Sequence, residues 1–143
     1  MRTPWVITQR LNKASQKGIV VIKVFDGYEA LPSRKCLETF PELLCVTSHM
    51  KNNTICPTAR SGEIFDIAAS EEHLGLKSSG WIGWSAPHVV AETIALIKAI
   101  RPDLSPTEIK RILRETAIPS NEIPNGGILD ADAALKRAES FNR

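Results

Sequence analysis

A continuous run of apolar and β-branched residues, Ile19-Val-Val-Ile-Lys-Val-Phe25, constrains the fold of this 143-residue chain more than any other feature. The run does not alternate between apolar and polar positions, as a strand with one solvent-facing side would. It is typical of a parallel strand that is covered on both faces. Two further strands are predicted at Leu43–Thr47 and Ile64–Ala68. The predicted class is therefore α/β, with a mostly parallel sheet and flanking helices.

The most apolar stretch of the sequence, Val89–Ile100, is predicted to form a helix. Pro87 lies near its first turn, where the missing backbone N–H costs nothing. Apolar residues occupy nearly every face of this helix, so it is predicted to be surrounded by protein. Glu92 and Lys98 interrupt the stretch, which is shorter than the roughly 18 residues of a membrane span. A membrane partner is therefore not expected.

Three further helices are predicted from amphipathic spacing and from their capping residues. The first spans Trp5–Gly18 and ends at a glycine, the second begins with a capping box at Ser105–Glu108, and the third begins at Asp130. Three basic side chains share one face of the second helix and are predicted to be solvated, as such faces usually are: Lys110, Arg111 and Arg114.

The composition is that of one globular domain, which we assign to residues 1–143. Hydrophobic residues make up 43% and charged residues 24%, so the chain can bury a core without disulfides or a metal. Its 18 basic and 16 acidic residues give a net charge of +2, too balanced for a nucleic-acid or membrane-surface protein. The N-terminal residues lack the apolar stretch of roughly 7–15 residues of a signal peptide, and a cytoplasmic location is expected.

Several segments, taken in chain order, resemble segments of the C-terminal half of subtilisin-like serine proteases. They are Lys17–Ile22, Phe40–Val46, Gly62–Ala69, Ala86–Val89, Arg101–Lys110 and Gly127–Leu135. Ala86–Val89 is similar to the motif that follows the nucleophile in that family, and it leads into the predicted apolar helix. The resemblance covers almost the whole chain. It implies an α/β fold like the C-terminal half of a subtilisin-like domain.

The resemblance also implies that groups needed for proteolysis are missing. When the sequences are aligned without gaps from Pro87 and His88, the family's nucleophilic serine falls on Gly83. When they are aligned from Gly18, the asparagine that stabilises the oxyanion falls on Gly27. The aspartate and histidine of the family's triad belong to the N-terminal half, which this sequence does not match. No catalytic residue is therefore predicted.

A gapped alignment offers an alternative nucleophile. If Gly83-Trp84-Ser85 corresponds to the family's G-T-S, with two residues deleted before Ala86, then Ser85 occupies the nucleophile position. Such a gap would rotate the start of the following helix by about 200° relative to its neighbours, because an α-helix has 3.6 residues per turn. The other role for Ser85 is that of an ordinary helix N-cap.

The remaining chemically capable residues have simpler interpretations. The cysteines are odd in number, form no C-x-x-C pair and are predicted to be free thiols: Cys36, Cys45 and Cys56. With His49 they could supply four zinc ligands, but their spacing matches no compact zinc site, and neither a metal nor another cofactor is expected. His73 lies in an acidic loop and is predicted to be solvated. His88 resembles a packing residue at the helix start rather than the triad histidine.

Two tryptophans, Trp81 and Trp84, flank the position of the missing serine. They are predicted to pack in the core or to fill the pocket that substrate would occupy in a protease. The leading hypothesis is therefore a catalytically inactive subtilisin-like domain that acts by protein binding or assembly. The alternative is the C-terminal piece of a subtilisin-like endopeptidase whose Asp/His half comes from another chain, with Ser85 as nucleophile.

The apolar helix also predicts a partner. Leaving three or four of its apolar side chains in water would cost about 5–10 kcal/mol, as much as the whole net stability of a typical domain. The chain is therefore not expected to be a stable monomer. The expected partners are a second copy in a homodimer or a protein chain that supplies the missing N-terminal half.

Overall fold

The computed structural model describes residues 4–24, 40–57, 59–71 and 85–142, with the backbone alone for residues 4–8. The helices are α1 Pro4–Gln16, α2 Ala86–Ile100, α3 Pro106–Thr116 and α4 Ala131–Glu139. The strands are β1 Ile22–Val24, β2 Leu44–His49, β3 Ile67–Ser70 and β4 Gly127–Ile128. The α/β class is thereby confirmed, and within the described residues one helix, three strands and a second helix follow one another as the sequence predicts.

The four strands form one parallel sheet in the order β1-β2-β3-β4. The register pairs Ile22 with Leu44, Val46 with Ile67, and Ile67 with Gly127. Strand β3 begins three residues later than predicted, and the two-residue β4 has no counterpart in the sequence-based prediction. Every strand therefore lies next to the strand that precedes it in the chain.

Apolar side chains cover the sheet on both faces. On one face, Leu44, Val46 and Ile67 pack with buried residues of α2, α3 and α4. On the opposite face, Cys45 and Ala68 pack with a second cluster that includes Phe65, against which Leu11 of α1 lies. All six residues of β2 are buried, but β1 is only partly buried along its length. Val20 and Ile22 pack against the first cluster and Val21 against the second, so the run is covered on both faces as predicted, although only partly at this edge.

Helix α2 has a buried side and an exposed side. Its buried residues are Ala86, Val90, Thr93, Ile94 and Ile97. On the other side, Leu96 is 53% exposed and Ile100 is 41% exposed. The prediction that protein surrounds this helix is therefore wrong for the single chain, because the sheet and the other helices leave its outer face uncovered.

The predicted capping residues are confirmed. The Ser105 hydroxyl accepts a hydrogen bond from the Glu108 backbone N–H, and the Glu108 carboxylate accepts one from the Ser105 N–H at 2.7 Å. Asp130 accepts from the Ala133 N–H at 2.9 Å. Gly18 follows α1 with a φ of +74°, a conformation that glycine adopts without strain. These contacts fix where α3, α4 and β1 begin.

The β4 edge of the sheet is closed by close backbone contacts. Ile118 forms an antiparallel bridge with Ile128, with N–H to O distances of 2.8 Å in both directions. A Cβ atom at Gly126 would lie 1.7 Å from the backbone oxygen of Asp66, and one at Gly127 would lie 2.2 Å from that of Ile118. Only glycine allows both approaches.

The basic face of α3 takes part in the closure of this edge. The Asp66 carboxylate is buried, accepts a hydrogen bond from the Cys45 N–H at 2.8 Å and lies 3.1 Å from Lys110 Nζ. Lys110 also donates to the Leu43 carbonyl at 2.7 Å, and Arg114 lies 3.8 Å from Asp66. The prediction that this face is solvated is therefore wrong for Lys110, whereas Arg111 and Arg114 are exposed.

Candidate functional site

The carboxyl ends of β2 and β3 gather the polar residues of the sheet. His49 and Ser70 are paired in register, and the Glu71 N–H donates to the His49 carbonyl at 3.1 Å. In parallel α/β sheets, ligands generally bind beyond the carboxyl ends of the strands. This end of the sheet is therefore the candidate location of a functional site.

His49 ends β2, and the residue is 9% exposed. Its Nδ1 lies 2.7 Å from the Met50 carbonyl, so Nδ1 carries a proton and donates to it. Such a bond fixes the ring and, in the neutral imidazole, leaves Nε2 as an acceptor. The sequence suggested His49 only as a zinc ligand. No local pattern at Ser48 and His49 indicates that these residues end a strand at a candidate site.

Ser48, next to His49, is 1% exposed, and its hydroxyl has no hydrogen-bond partner. Its backbone carbonyl accepts from the Cys56 N–H at 3.0 Å. A buried hydroxyl without a partner costs free energy and is uncommon in folded proteins. Ser48 is thus a second polar residue of this region that sequence reasoning missed.

Ser85 occupies the N-cap position of α2, and it is 8% exposed. Its backbone is helical, with φ −82° and ψ −38°, and its carbonyl accepts from the N–H groups of His88 and Val89 at 3.0 and 3.1 Å. Its hydroxyl makes no capping hydrogen bond. The predicted N-cap position is confirmed, but the capping bond that normally accompanies it is not formed.

Nothing in the described part of the chain equips Ser85 as a nucleophile. A serine nucleophile needs a base within about 2.6–3.2 Å of its oxygen and a third group that orients that base. No hydrogen bond between the Ser85 side chain and a histidine is found among the described residues. His88, in the first turn of α2, is exposed.

The other predicted site residues divide into two groups. Several lie outside the described residues, so the structure does not place them: Gly27, Cys36, His73, Trp81, Gly83 and Trp84. Cys45 and Cys56 are buried, and neither forms a disulfide bond in the part of the chain that the structure describes. Within the described ranges, no three His, Cys, Asp or Glu side chains come together as a metal-binding group. Within the same ranges, no helix is long and apolar enough to cross a membrane.

Solved structures with the same arrangement of elements are proteases and toxin subunits. A protease from Pseudoalteromonas arctica superposes with a TM-score of 0.70 at 22% identity over 94% of this chain. A structure of the subtilase cytotoxin SubAB assembly gives 0.71 at 18% identity over 98%. The serine protease MycP1, described as an essential component of the type VII (ESX-1) secretion system, gives 0.68 at 21% over 87%.

The chain has the fold of part of a subtilisin-like domain. The predicted fold resemblance is thereby confirmed. The match covers 47%, 55% and 46% of those three larger chains, so this subtilisin-like chain spans about half of their length. No protein-family profile matches its sequence, and no curated protein matches it significantly. Identities near 20% relate the folds, and the function has to be argued from this chain's own residues.

Proposed function

We propose that this chain is a catalytically inactive subtilisin-like domain that acts by protein binding or assembly. The observation that carries the proposal is the pair of glycines, Gly83 and Gly27, at the positions where the family has its nucleophile and its oxyanion-stabilising asparagine. A glycine supplies neither an attacking hydroxyl nor a side-chain donor to a developing oxyanion.

The geometry around Ser85 supports the same proposal. Ser85, the hydroxyl residue nearest to Gly83 in the sequence, is 8% exposed, and no described histidine is hydrogen-bonded to it. Acyl transfer needs the nucleophile, the base and the oxyanion donors held together. With those groups missing, the fold retains a scaffold that can bind but has little means to hydrolyse a peptide bond.

The binding part of the proposal rests on the outer face of α2. Leu96 and Ile100 are both more than two-fifths exposed on this helix, and Ile19 beside β1 is 53% exposed. Exposed apolar side chains such as Leu96 and Ile100, on one helix face, favour association with another polypeptide.

A fluorophosphonate probe tests the absence of catalysis. We expect no stoichiometric labelling of the purified chain and no cleavage of casein. The matched control is Ser85→Ala, which should behave like the wild type. Gly83→Ser alone should not restore activity, because Gly27 still lacks the oxyanion donor and no base is supplied. Labelling of the wild type that disappears in Ser85→Ala would contradict the proposal.

That contrary result would favour the second candidate, a C-terminal piece of an endopeptidase with Ser85 as nucleophile. One observation favours it: the Ser85 hydroxyl is not used as a helix cap and so remains available for another role. In this case another chain would supply the aspartate and the histidine. Labelling of the purified chain would then be weak, it should increase when that chain is added, and it should disappear in Ser85→Ala.

A further inference from the structure

A solvent-open pocket lies against the polar face of α3, and we call it the α3 pocket. It has a volume of about 630 Å³. Besides α3, its walls come from Pro41, which precedes β2, and from the turn Pro124–Gly126. Pockets that bind small molecules typically measure about 300–1,000 Å³. The α3 pocket is therefore large enough to hold a small ligand.

Four residues of α3 form the helical wall of this pocket: Thr107, Lys110, Arg111 and Arg114. Their spacing of three, four and seven residues places them on one face of an α-helix. Three of the four side chains are cationic. The basic face of α3 therefore borders a cavity, where several cations can contact one bound group.

The charges in this region do not cancel. Four cations and two carboxylates are joined by ion pairs: Lys110, Arg111, Arg114, Arg137, Asp66 and Glu115. Each carboxylate is shared by two cations, at 3.1 and 3.8 Å for Asp66 and at 3.5 and 3.4 Å for Glu115. Two positive charges are therefore left uncompensated within this group of residues.

Contacts within the chain already hold the three cations of the pocket in place. Lys110 is held by the buried ion pair described above. Arg114 Nε donates a hydrogen bond to the Asn125 carbonyl. The Arg111 guanidinium lies 4.5 Å from the centroid of the Phe141 ring. Side chains that are ordered before a ligand arrives lose less conformational entropy on binding it.

Each cation of the pocket also has donors to spare. A guanidinium group has five N–H donors and an ammonium group has three. The described contacts of Arg114 involve Nε and Nη1, and the described ion pair of Arg111 involves Nε. Lys110 Nζ contacts two oxygens. All three groups can therefore donate to a further anion without giving up these contacts.

We propose that the α3 pocket binds a phosphate monoester, with Arg111 and Arg114 contacting the phosphate. A phosphate monoester carries a charge of about −1.5 to −2 at pH 7, which matches the two uncompensated positive charges. It offers three terminal oxygens to the cations, and the planar guanidinium groups bind such oxygens in pairs. The pocket exceeds the volume of a phosphate group, so the organic part of the ligand has room beside Pro41 and Pro124.

This inference goes beyond the proposed function, because it assigns a ligand to a region that does not contain Gly27, Gly83 or Ser85. An NMR titration of the full ¹⁵N-labelled chain tests it. The probe is O-phosphoserine at constant ionic strength, and serine is the matched control ligand because it lacks only the phosphate. We expect saturable shifts of the amides of α3 and of Asn125 and Gly126, with a Kd of about 0.1–1 mM. Serine should cause none.

A phosphoserine peptide distinguishes two sources of the monoester. If the short peptide binds more tightly than O-phosphoserine, the ligand is a phosphorylated side chain of a partner protein. If it binds more weakly, the ligand is a free phosphorylated small molecule. Both results require that the phosphate is bound in the α3 pocket.

Removal of single charges supplies the matched variants. Arg111→Gln and Arg114→Gln should each weaken O-phosphoserine binding at least about tenfold, because each removes one charged donor group. Glu115→Gln should strengthen binding about two- to tenfold, because its carboxylate no longer competes for Arg111. Lys136→Gln, which removes an exposed charge on α4, is the control and should bind like the wild type.

Two results would overturn the proposal. One is the absence of saturable shifts in α3 with O-phosphoserine up to about 20 mM. The other is a loss of binding in Lys136→Gln as large as that in Arg111→Gln, because the phosphate would then respond to the charge of the whole chain. The amide spectrum shows whether each variant is folded. The Arg111 side chain is 53% exposed, so Arg111→Gln keeps the test valid if Arg114→Gln does not fold.

Discussion

The two edges of the sheet are finished in different ways. At the β4 edge, backbone meets backbone at Gly126 and Gly127, Ile118 bridges Ile128, and a buried carboxylate is held by α3. At the β1 edge, the strand is partly buried along its length, and it lies beside an open apolar groove. The first edge is closed by contacts within the described residues, and the second leaves apolar side chains partly exposed.

We therefore expect the two regions to affect different properties. The β4 edge should affect the free energy of unfolding, and the outer face of α2 should affect association with other polypeptides. Groups at the β4 edge touch atoms that cannot move aside, so substitutions there should lower the free energy of unfolding. Groups on the outer face of α2 touch little in their own chain, so substitutions there should leave that free energy unchanged and alter oligomeric state instead. The following predictions test the separation, beginning with the largest expected change in stability.

Gly126→Ala should have the largest effect. The new methyl group would lie 1.7 Å from the backbone oxygen of Asp66, which cannot move without disrupting β3. We expect a loss of about 4 kcal/mol or more, as found for severe clashes in a core, measured by urea denaturation. Gly62→Ala is the control: its Cβ would meet no atom within 4 Å, and the cost comes only from its φ of +123°. That cost should be about 1–2 kcal/mol. If both variants lost the same free energy of unfolding, the short distance between Gly126 and the Asp66 backbone would not be what stabilises this edge.

Asp66→Ala should lower the free energy of unfolding by about 3 kcal/mol, because it leaves Lys110 and the Cys45 N–H without their shared acceptor. Adding Lys110→Met should recover at least about 1 kcal/mol, because the unpaired ammonium is then removed. Thermal or urea unfolding of the single and double variants measures both changes. A double variant that is less stable than Asp66→Ala would show that Lys110 stabilises α3 independently of Asp66.

Two serines at helix starts should respond differently to the same substitution. Ser105→Ala removes a hydroxyl that accepts from the Glu108 N–H and should cost about 1 kcal/mol. Ser85→Ala removes a hydroxyl that caps nothing, and the change should stay within about 0.5 kcal/mol. The two losses are compared by measuring urea denaturation midpoints at a common m-value. A larger loss at Ser85 would reveal an interaction of its hydroxyl beyond the described residues.

Leu96→Gln should have the smallest effect on the folded monomer. The side chain is 53% exposed, and glutamine has a helix propensity close to that of leucine. The free energy of unfolding, measured at a concentration where the chain is monomeric, should change by less than about 0.5 kcal/mol. Ile97→Gln, one residue along on the fully buried side, is the contrasting variant and should be strongly destabilised.

Local sequence signals predicted the elements that local contacts define. Strand β2 was predicted to within two residues because an unbroken apolar run needs no knowledge of its neighbours, and the Ser105–Glu108 capping box lies within one turn. Strand β4 could not be predicted, because two residues, Gly127 and Ile128, carry no periodicity and become a strand only by pairing with β3. Its identity depends on contacts that are distant in sequence.

The incorrect predictions of exposure for Lys110 and of burial for α2 have the same cause: both depend on contacts that are distant in sequence. Periodicity placed Lys110 on the polar face of α3, but it could not show that Asp66 lies beneath that face. Likewise, apolar residues all around α2 implied full burial, whereas this chain covers only one side of the helix. The candidate site depended on aligning Gly83 and Gly27 with the family pattern. Ser48 escaped notice, and His49 was considered only as a zinc ligand, because only the parallel sheet brings them to a shared end with Ser70.

The contacts that complete the β4 edge can form only late in synthesis, because they join residues that are far apart in the sequence. Lys110 reaches back 67 residues to the Leu43 carbonyl, and Asn125 reaches back 62 residues to the Glu63 carbonyl. During synthesis at about 5–20 residues per second, strands β2 and β3 therefore wait roughly 3–13 seconds for the helix and turn that cover them. During that interval the nascent chain exposes apolar side chains of β2 and β3 that the helix and the turn later cover. Uncovered apolar strands are prone to aggregate, so the nascent chain should be most prone to aggregation between the synthesis of β3 and that of Asn125.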